Sequence, residues 1–177
     1  GDNKKFPLKE EETTDRPISF YAATKKSNEV MAYSYSYIHK IPITCLRFFT
    51  VYGPFGRPDM SLYKFTKSIM KNKKIDFYNY GDHIRDFTYI DDISNIVSRL
   101  IKKPPKGKIP YKILNISSNK PKKLRIFLEL IEKYLNKKAK INYLPLQLGD
   151  VHKTSGSNKR IKQIIKKYKF TDLEEGI

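Results

Sequence analysis

Apolar residues fall at helical spacing across residues 60–72 and 124–135, and they run together in short blocks at 42–48 and 111–116. The first pattern predicts helices that bury one face, the second predicts strands. The stretch to Pro17 is rich in charge and turn formers and reads as a loop. Ser19 is a natural N-cap for a helix running to about His39. PITCLRF, 42–48, predicts a buried strand, and TVYGPFGRPD, with its glycines and prolines, predicts a loop. A strand is expected over 75–80, closed by a Gly81-Asp82 turn, and a short extended piece over 85–90. Asp91 or Asp92 is expected to cap a helix ending near Lys102. A linker at 102–110, strands at 111–116 and KINYLP, and a last basic helix over 158–168 complete the chain. Helices alternate with strands, so the fold class is α/β.

The length of 177 residues and 39% hydrophobic content allow one sizeable core. No apolar run approaches a membrane span, and the polar start GDNKKFPLKEEE is unlike a secretory signal. One cysteine, Cys45, excludes an internal disulfide and reads as a small buried hydrophobe; a reducing cytoplasm is the natural setting. The net charge is +18, from 36 basic and 18 acidic residues. Nucleic-acid binding is one reading of that charge. The residues responsible are mostly lysines spread over helices and turns, with no RNP, KH or zinc-finger pattern, so a solvated surface is the better reading and no nucleic-acid partner is expected. His39, His83 and His152 lack neighbours at metal-ligand spacing, so no metal is expected.

The chemistry is concentrated in YAATK, 21–25, at the start of the first helix. A spacing of four places Tyr21 and Lys25 on one helix face, roughly 6 Å apart. A phenol has an ordinary pKa of about 10, and a nearby ammonium favours its anion. Such a pair could serve as a base for a sugar hydroxyl. The motif alone says little in a chain with 13 tyrosines. Its surroundings say more: Asp15 and Pro17 precede it, LRFFTVYGPFGRPDM follows at 46–60, RDFTYIDDI at 85–93, then GDV at 149–151 and LEEGI at 173–177.

In that order and spacing these blocks resemble nucleotide-sugar epimerases and dehydratases of the extended short-chain dehydrogenase type, over essentially the whole chain. The resemblance implies the C-terminal part of a doubly wound Rossmann-type enzyme. Residues 1–52 would carry the end of the Rossmann domain with its catalytic helix. Residues 53–177 would form mainly the nucleotide-sugar domain, with parts returning to the sheet. NAD is the implied cofactor, with Tyr21 and Lys25 at its ribose and Phe48 and Phe49 bordering the nicotinamide; core packing is the competing reading for the two phenylalanines. Tyr21 would deprotonate the sugar 4-hydroxyl, giving a 4-keto intermediate with transient NADH. No G-x-G-x-x-G or G-x-x-G-x-x-G occurs in the sequence. The resemblance aligns Gly1 with the glycine of a V-Y-G motif that follows the family's catalytic Ser or Thr, so a fragment is expected, inactive by itself and a homodimer when whole.

Thr50 and the G-R-P-D-M loop resemble the UDP-glucuronate 4-epimerase subgroup, in which the corresponding Thr and Arg meet the sugar carboxylate. Here these are Thr50 and Arg57. A planar guanidinium suits a carboxylate, although Thr50 also reads as a strand-end hydroxyl and Arg57 as a loop brace. Arg85 resembles the diphosphate-binding arginine, with an ion pair to Asp86 as the alternative. Asp150 resembles a residue near the uridine ribose, or a turn cap. Phe77 belongs to the strand expected to face uracil through its backbone. Related UDP-glucose 4-epimerases, sugar dehydratases and UDP-glucuronate decarboxylases remain open, as does an inactive remnant or basic binding module.

Overall fold

The computed structural model describes residues 3–177, so the expected alignment of Gly1 lies outside the described residues. The chain runs α1 (Phe20–His39), β1 (Ile43–Phe48), β2 (Thr50–Tyr52), α2 (Ser61–Met70), β3 (Lys74–Phe77), β4 (Ile84–Arg85), β5 (Phe87–Tyr89), α3 (Ile90–Ile101), β6 (Tyr111–Ile116), β7 (Lys122–Lys123), α4 (Leu124–Leu135), β8 (Lys140–Tyr143) and α5 (Lys159–Ile164). Strands β1–β6, β2–β5 and β3–β8 pair in parallel, and β4–β7 antiparallel. The α/β class expected from the alternating pattern is what the chain adopts.

Two cores hold these pairs. In the first, α2, β3 and α4 enclose Phe65, Ile69, Phe77, Phe127 and Ile131 against Tyr52 and Phe87. Phe87 stacks on Phe127 with ring centroids 4.4 Å apart, and Tyr52 meets Phe87 edge-on at 6.1 Å and Phe127 at 5.9 Å. Each such pair adds about 0.5–1.5 kcal/mol beyond burial. The second core joins α3, β6 and α5 through Ile93, Ile96, Leu114, Ile116 and Ile161.

Helix α1 starts where the sequence indicates: the Ser19 hydroxyl accepts from the Ala22 N–H at 3.2 Å. Its attachment to the sheet combines an edge-on contact of the Tyr33 and Tyr111 rings, centroids 5.3 Å apart, with polar bonds. Arg47 of β1 donates to both oxygens of Glu29, at 2.6 and 2.8 Å, and the Tyr111 hydroxyl donates to the Glu29 carbonyl at 3.0 Å. Only Ser36 of α1 is buried. Phe20, Met31, Tyr35 and Ile38 stand exposed, as does Phe48 at the end of β1. The expectation of a buried strand at 42–48 is therefore corrected. Among the described residues β1 pairs with β6 alone, and its side chains are at most half-buried.

Four further readings change. The loop expected at 50–59 begins with a strand, because Thr50–Tyr52 pairs with Phe87–Tyr89. The strand expected over 75–80 stops at Phe77, since Asn79 and Tyr80 take left-handed conformations with φ of 49° and 53°. Gly81 follows at φ +80°, packed so tightly on the Phe77 ring that a Cβ there would lie 2.1 Å from it. Neither Asp91 nor Asp92 caps α3, because β5 runs straight into the helix through Tyr89 and leaves both aspartates inside the first turn. Asp92 instead accepts from the Tyr168 hydroxyl at 2.8 Å and the Thr171 N–H at 2.9 Å, tying α3 to the C-terminal segment. The last helix ends at Ile164 rather than 168, because Ile165 leaves helical geometry and buries itself in the second core.

Candidate active site

Tyr21 and Lys25 occupy the first turns of α1. Lys25 Nζ lies over the Tyr21 ring, 5.3 Å from its centroid, so the ammonium sits close to the phenol, as the helical spacing requires. Both side chains are exposed. Arg57, in the loop between β2 and α2, is held above the ordinary arginine range by hydrogen bonding to Asp59, and Tyr21 adds to that effect. Its guanidinium forms a two-pronged contact with Asp59, Nε to Oδ1 at 3.0 Å and Nη2 to Oδ2.

The loop carrying Asp150 closes on the same helix end. A Cβ added at Gly149 would be 3.4 Å from the Ile18 carbonyl and 3.7 Å from Ser19 Cβ. Asp150 Oδ1 accepts from Arg85 Nη2 at 3.0 Å and from its own neighbour Val151 N–H at 2.8 Å. Arg85 is mostly buried, and desolvation holds its guanidinium below the ordinary arginine range while Asp150 opposes that shift. The Arg85 ion pair is with Asp150, not with the adjacent Asp86. Residues far apart in sequence are brought together here, and both are expected nucleotide ligands.

Asp86 faces the other way. Fully buried, it accepts from Ser117 Oγ and Ser118 Oγ at 2.7 Å each and from the Gly156 N–H at 3.0 Å. Its backbone carbonyl accepts from the Thr50 N–H at 3.0 Å. Asp86 thus fastens β2, the end of β6 and the 155–158 loop around Thr50. Phe49 packs against Gly156, where a Cβ would come within 2.4 Å of its ring. Phe48 remains exposed at the carboxyl end of β1, opposite Ile116 in register. Ligands of open α/β sheets bind at such strand ends.

Phe77 is the exception. Its ring is fully buried between Phe65 and Tyr143, at centroid distances of 5.8 and 6.3 Å, and its carbonyl accepts from the Leu144 N–H. The Phe77 side chain belongs to the core, so a substrate contact here would fall to its backbone, as expected from the sequence. Sequence reasoning also left three site neighbours without a role: Asp59 on Arg57, His83 beside Asp150, and the Ser117-Ser118 pair on Asp86. The serine pair directly after a strand was the one visible signal. The contacts of His83 depend on a loop distant in sequence.

Together, the parallel α/β pairs and the helix that packs on them have the architecture of the extended short-chain dehydrogenase type. A family model described as NAD dependent epimerase/dehydratase family matches residues 1–117, and the chain belongs to that family. It is 49% identical over 168 residues to protein CapI of Staphylococcus aureus, covering 87% of this chain and 50% of CapI. It is 40% identical over 192 residues to a probable UDP-glucuronate 4-epimerase of Rhizobium meliloti, covering 100% of this chain and 56% of that protein. Among solved structures, the UDP-glucuronic acid 4-epimerase of Bacillus cereus in complex with UDP-glucuronic acid and NAD superposes with a TM-score of 0.84 at 30% identity, covering 91% of this chain and 51% of that one. The chain therefore spans about half the length of the curated relatives it matches.

NAD is the cofactor of this family. The residues present fit one end of it: Tyr21, Lys25 and Phe48 are accessible at the open side of α1 and β1. The sequence contains no glycine-rich turn of the dinucleotide-binding type, so these residues would hold the nicotinamide ribose and not the pyrophosphate. Among the described residues no His, Cys, Asp and Glu cluster could hold a metal, and no helix is long and apolar enough to cross a membrane.

Proposed function

We propose that this chain is the sugar-nucleotide half of a UDP-glucuronate 4-epimerase, an isomerase, with Tyr21 as its acid–base residue. What supports the reading is the exposed Tyr21–Lys25 pair at the start of α1, with the loop that carries Asp150 packed on the same helix end. Bound NAD supplies the reversible oxidation of the sugar carbon. Tyr21, helped by the Lys25 charge, accepts the 4-hydroxyl proton and returns it once the 4-keto sugar has turned over in the pocket. Thr50 and Arg57 hold the sugar carboxylate, with Arg57 exchanging Asp59 for the substrate. Arg85 faces the diphosphate and Asp150 the ribose.

Phe49 and Phe48 border the nicotinamide in this reading. The open face of α1 and β1 is covered by an NAD-binding half, consistent with a division near residue 52, and the whole enzyme is a cytoplasmic homodimer without a nucleic-acid partner. A second reading, a UDP-sugar 4-epimerase for a neutral sugar, draws on the Arg57–Asp59 pair, which already occupies the guanidinium fork. Product analysis by NMR separates the two. The protein carrying this chain with an NAD-binding half should convert UDP-glucuronate to UDP-galacturonate. Tyr21→Phe should lower turnover by about 10²–10⁴-fold. Normal turnover by Tyr21→Phe would remove Tyr21 from the chemistry, and turnover of UDP-glucose alone would favour the second reading.

A further inference from the structure

One imidazole beside the Arg85–Asp150 pair has no role in the reaction above. His83 is 3% exposed, and its Nε2 lies 3.2 Å from Asp150 Oδ2, out of line for a hydrogen bond and without another partner. It cannot drift, because its carbonyl accepts from the Leu124 N–H at 2.8 Å at the start of α4. The Asp150 carboxylate is therefore held through Oδ1, by Arg85 and Val151, while the unpartnered imidazole nitrogen packs against Oδ2. Arg85 is anchored in turn through Nη1, which donates to the carbonyls of Ile84 and His152 at 3.1 Å each. Its Nε has no acceptor among the described residues.

We propose that His83 is a positioning residue of the nucleotide site: the buried imidazole backs Asp150 at Oδ2 and pairs with it on protonation, keeping Asp150 on Arg85 so that the guanidinium presents its remaining N–H groups to a diphosphate. The inference rests on the reading of Arg85 and Asp150 as nucleotide ligands. It carries a consequence for pH. The charged groups around the imidazole are Arg85 and Asp82 on its own segment, Asp150, His152 and Lys153 on the facing loop, and Lys123 beside α4. Asp82 pairs with His152 at 3.2 Å and with Lys123 at 3.8 Å, and Lys153 turns onto the Phe6 ring. Burial and Arg85 hold the His83 pKa below the ordinary histidine range, so the imidazole is neutral at neutral pH. A diphosphate arriving at Arg85 favours the imidazolium. Binding therefore takes up a proton, and affinity rises as pH falls through the histidine range.

Calorimetry of UDP-glucose binding to the 177-residue chain between pH 5.5 and 8, both about the histidine range, tests this. That probe is chosen because its diphosphate diester does not titrate there. A one-unit rise in the His83 pKa on binding makes affinity several-fold tighter at the acid end, approaching about tenfold only below the pKa of the free imidazole. His83→Gln, which cannot titrate, should flatten the profile, and His83→Ala should weaken binding at every pH. Parallel profiles for wild type and His83→Gln overturn the proposal while leaving the nucleotide site intact. Absence of UDP-glucose binding by the folded wild type overturns the nucleotide reading and the proposal with it. Imidazole NMR of the unliganded chain examines the contact alone: Asp150→Asn should lower the His83 pKa, and an unchanged titration would show that the two groups do not meet.

Discussion

Asp86 shows how much a single side chain can organise in this molecule. Its carboxylate collects donors from two loops while its carbonyl holds Thr50. Asp86→Ala strands those buried donors and should cost about 3 kcal/mol or more, read as a lower urea midpoint. His83 gives a second prediction. Its folded pKa is depressed, so below the ordinary histidine range the unfolded chain binds more protons than the native one. Stability contributed by the neutral imidazole is thus lost as pH falls through that range. The urea midpoint of wild type should drop more steeply on acidification than that of His83→Gln, and equal slopes would contradict this. At this scale the sequence was legible where residues belong to contiguous blocks. Tyr21, Lys25, Thr50, Arg57 and Arg85 stand out as site candidates through such blocks; the alternative of an Arg85–Asp86 ion pair fails because Asp150, distant in sequence, takes the guanidinium. The burial of the Phe77 ring was not visible, because a strand residue shows its type but not which face its neighbours cover.

Helix α1, which carries the proposed acid–base pair, buries only Ser36 along its 20 residues. Its place on β1 depends on the half-buried Glu29–Arg47 pair, in which the Glu29 hydrogen bonds hold the Arg47 pKa above the ordinary range against desolvation. Glu29→Ala should cost about 1.5–3 kcal/mol, and amide exchange should rise along α1 before the second core opens. A uniform change in exchange would argue against this local role. By contrast, Phe127→Ala in the first core should cost about 3–5 kcal/mol and leave α1 exchange relative to global opening unaltered. Helix α4 and strand β6 were legible to the residue, since a strong apolar pattern meets a core on one face. The ends of β3 and α5 were not. Left-handed residues at Asn79 and Tyr80 stop the first, and the burial of Ile165 overrides a run of helix-compatible lysines in the second.

For the whole molecule, the exposed apolar face of α1 and β1 and the absence of a glycine-rich turn point the same way. The isolated chain should bind NAD weakly at best, and sub-millimolar NAD binding by calorimetry would contradict that. Arg85 and Asp150, proposed nucleotide ligands, are already paired. The central claim is that Thr50 and Arg57 recognise a glucuronate. It is tested most directly by comparing UDP-glucuronate with UDP-glucose in calorimetric titrations of wild type and Arg57→Ala. The account predicts tighter binding of UDP-glucuronate by wild type, a preference of about tenfold or 1.4 kcal/mol that Arg57→Ala abolishes. Equal affinities for the two sugars in wild type, or a preference that survives Arg57→Ala, would contradict it.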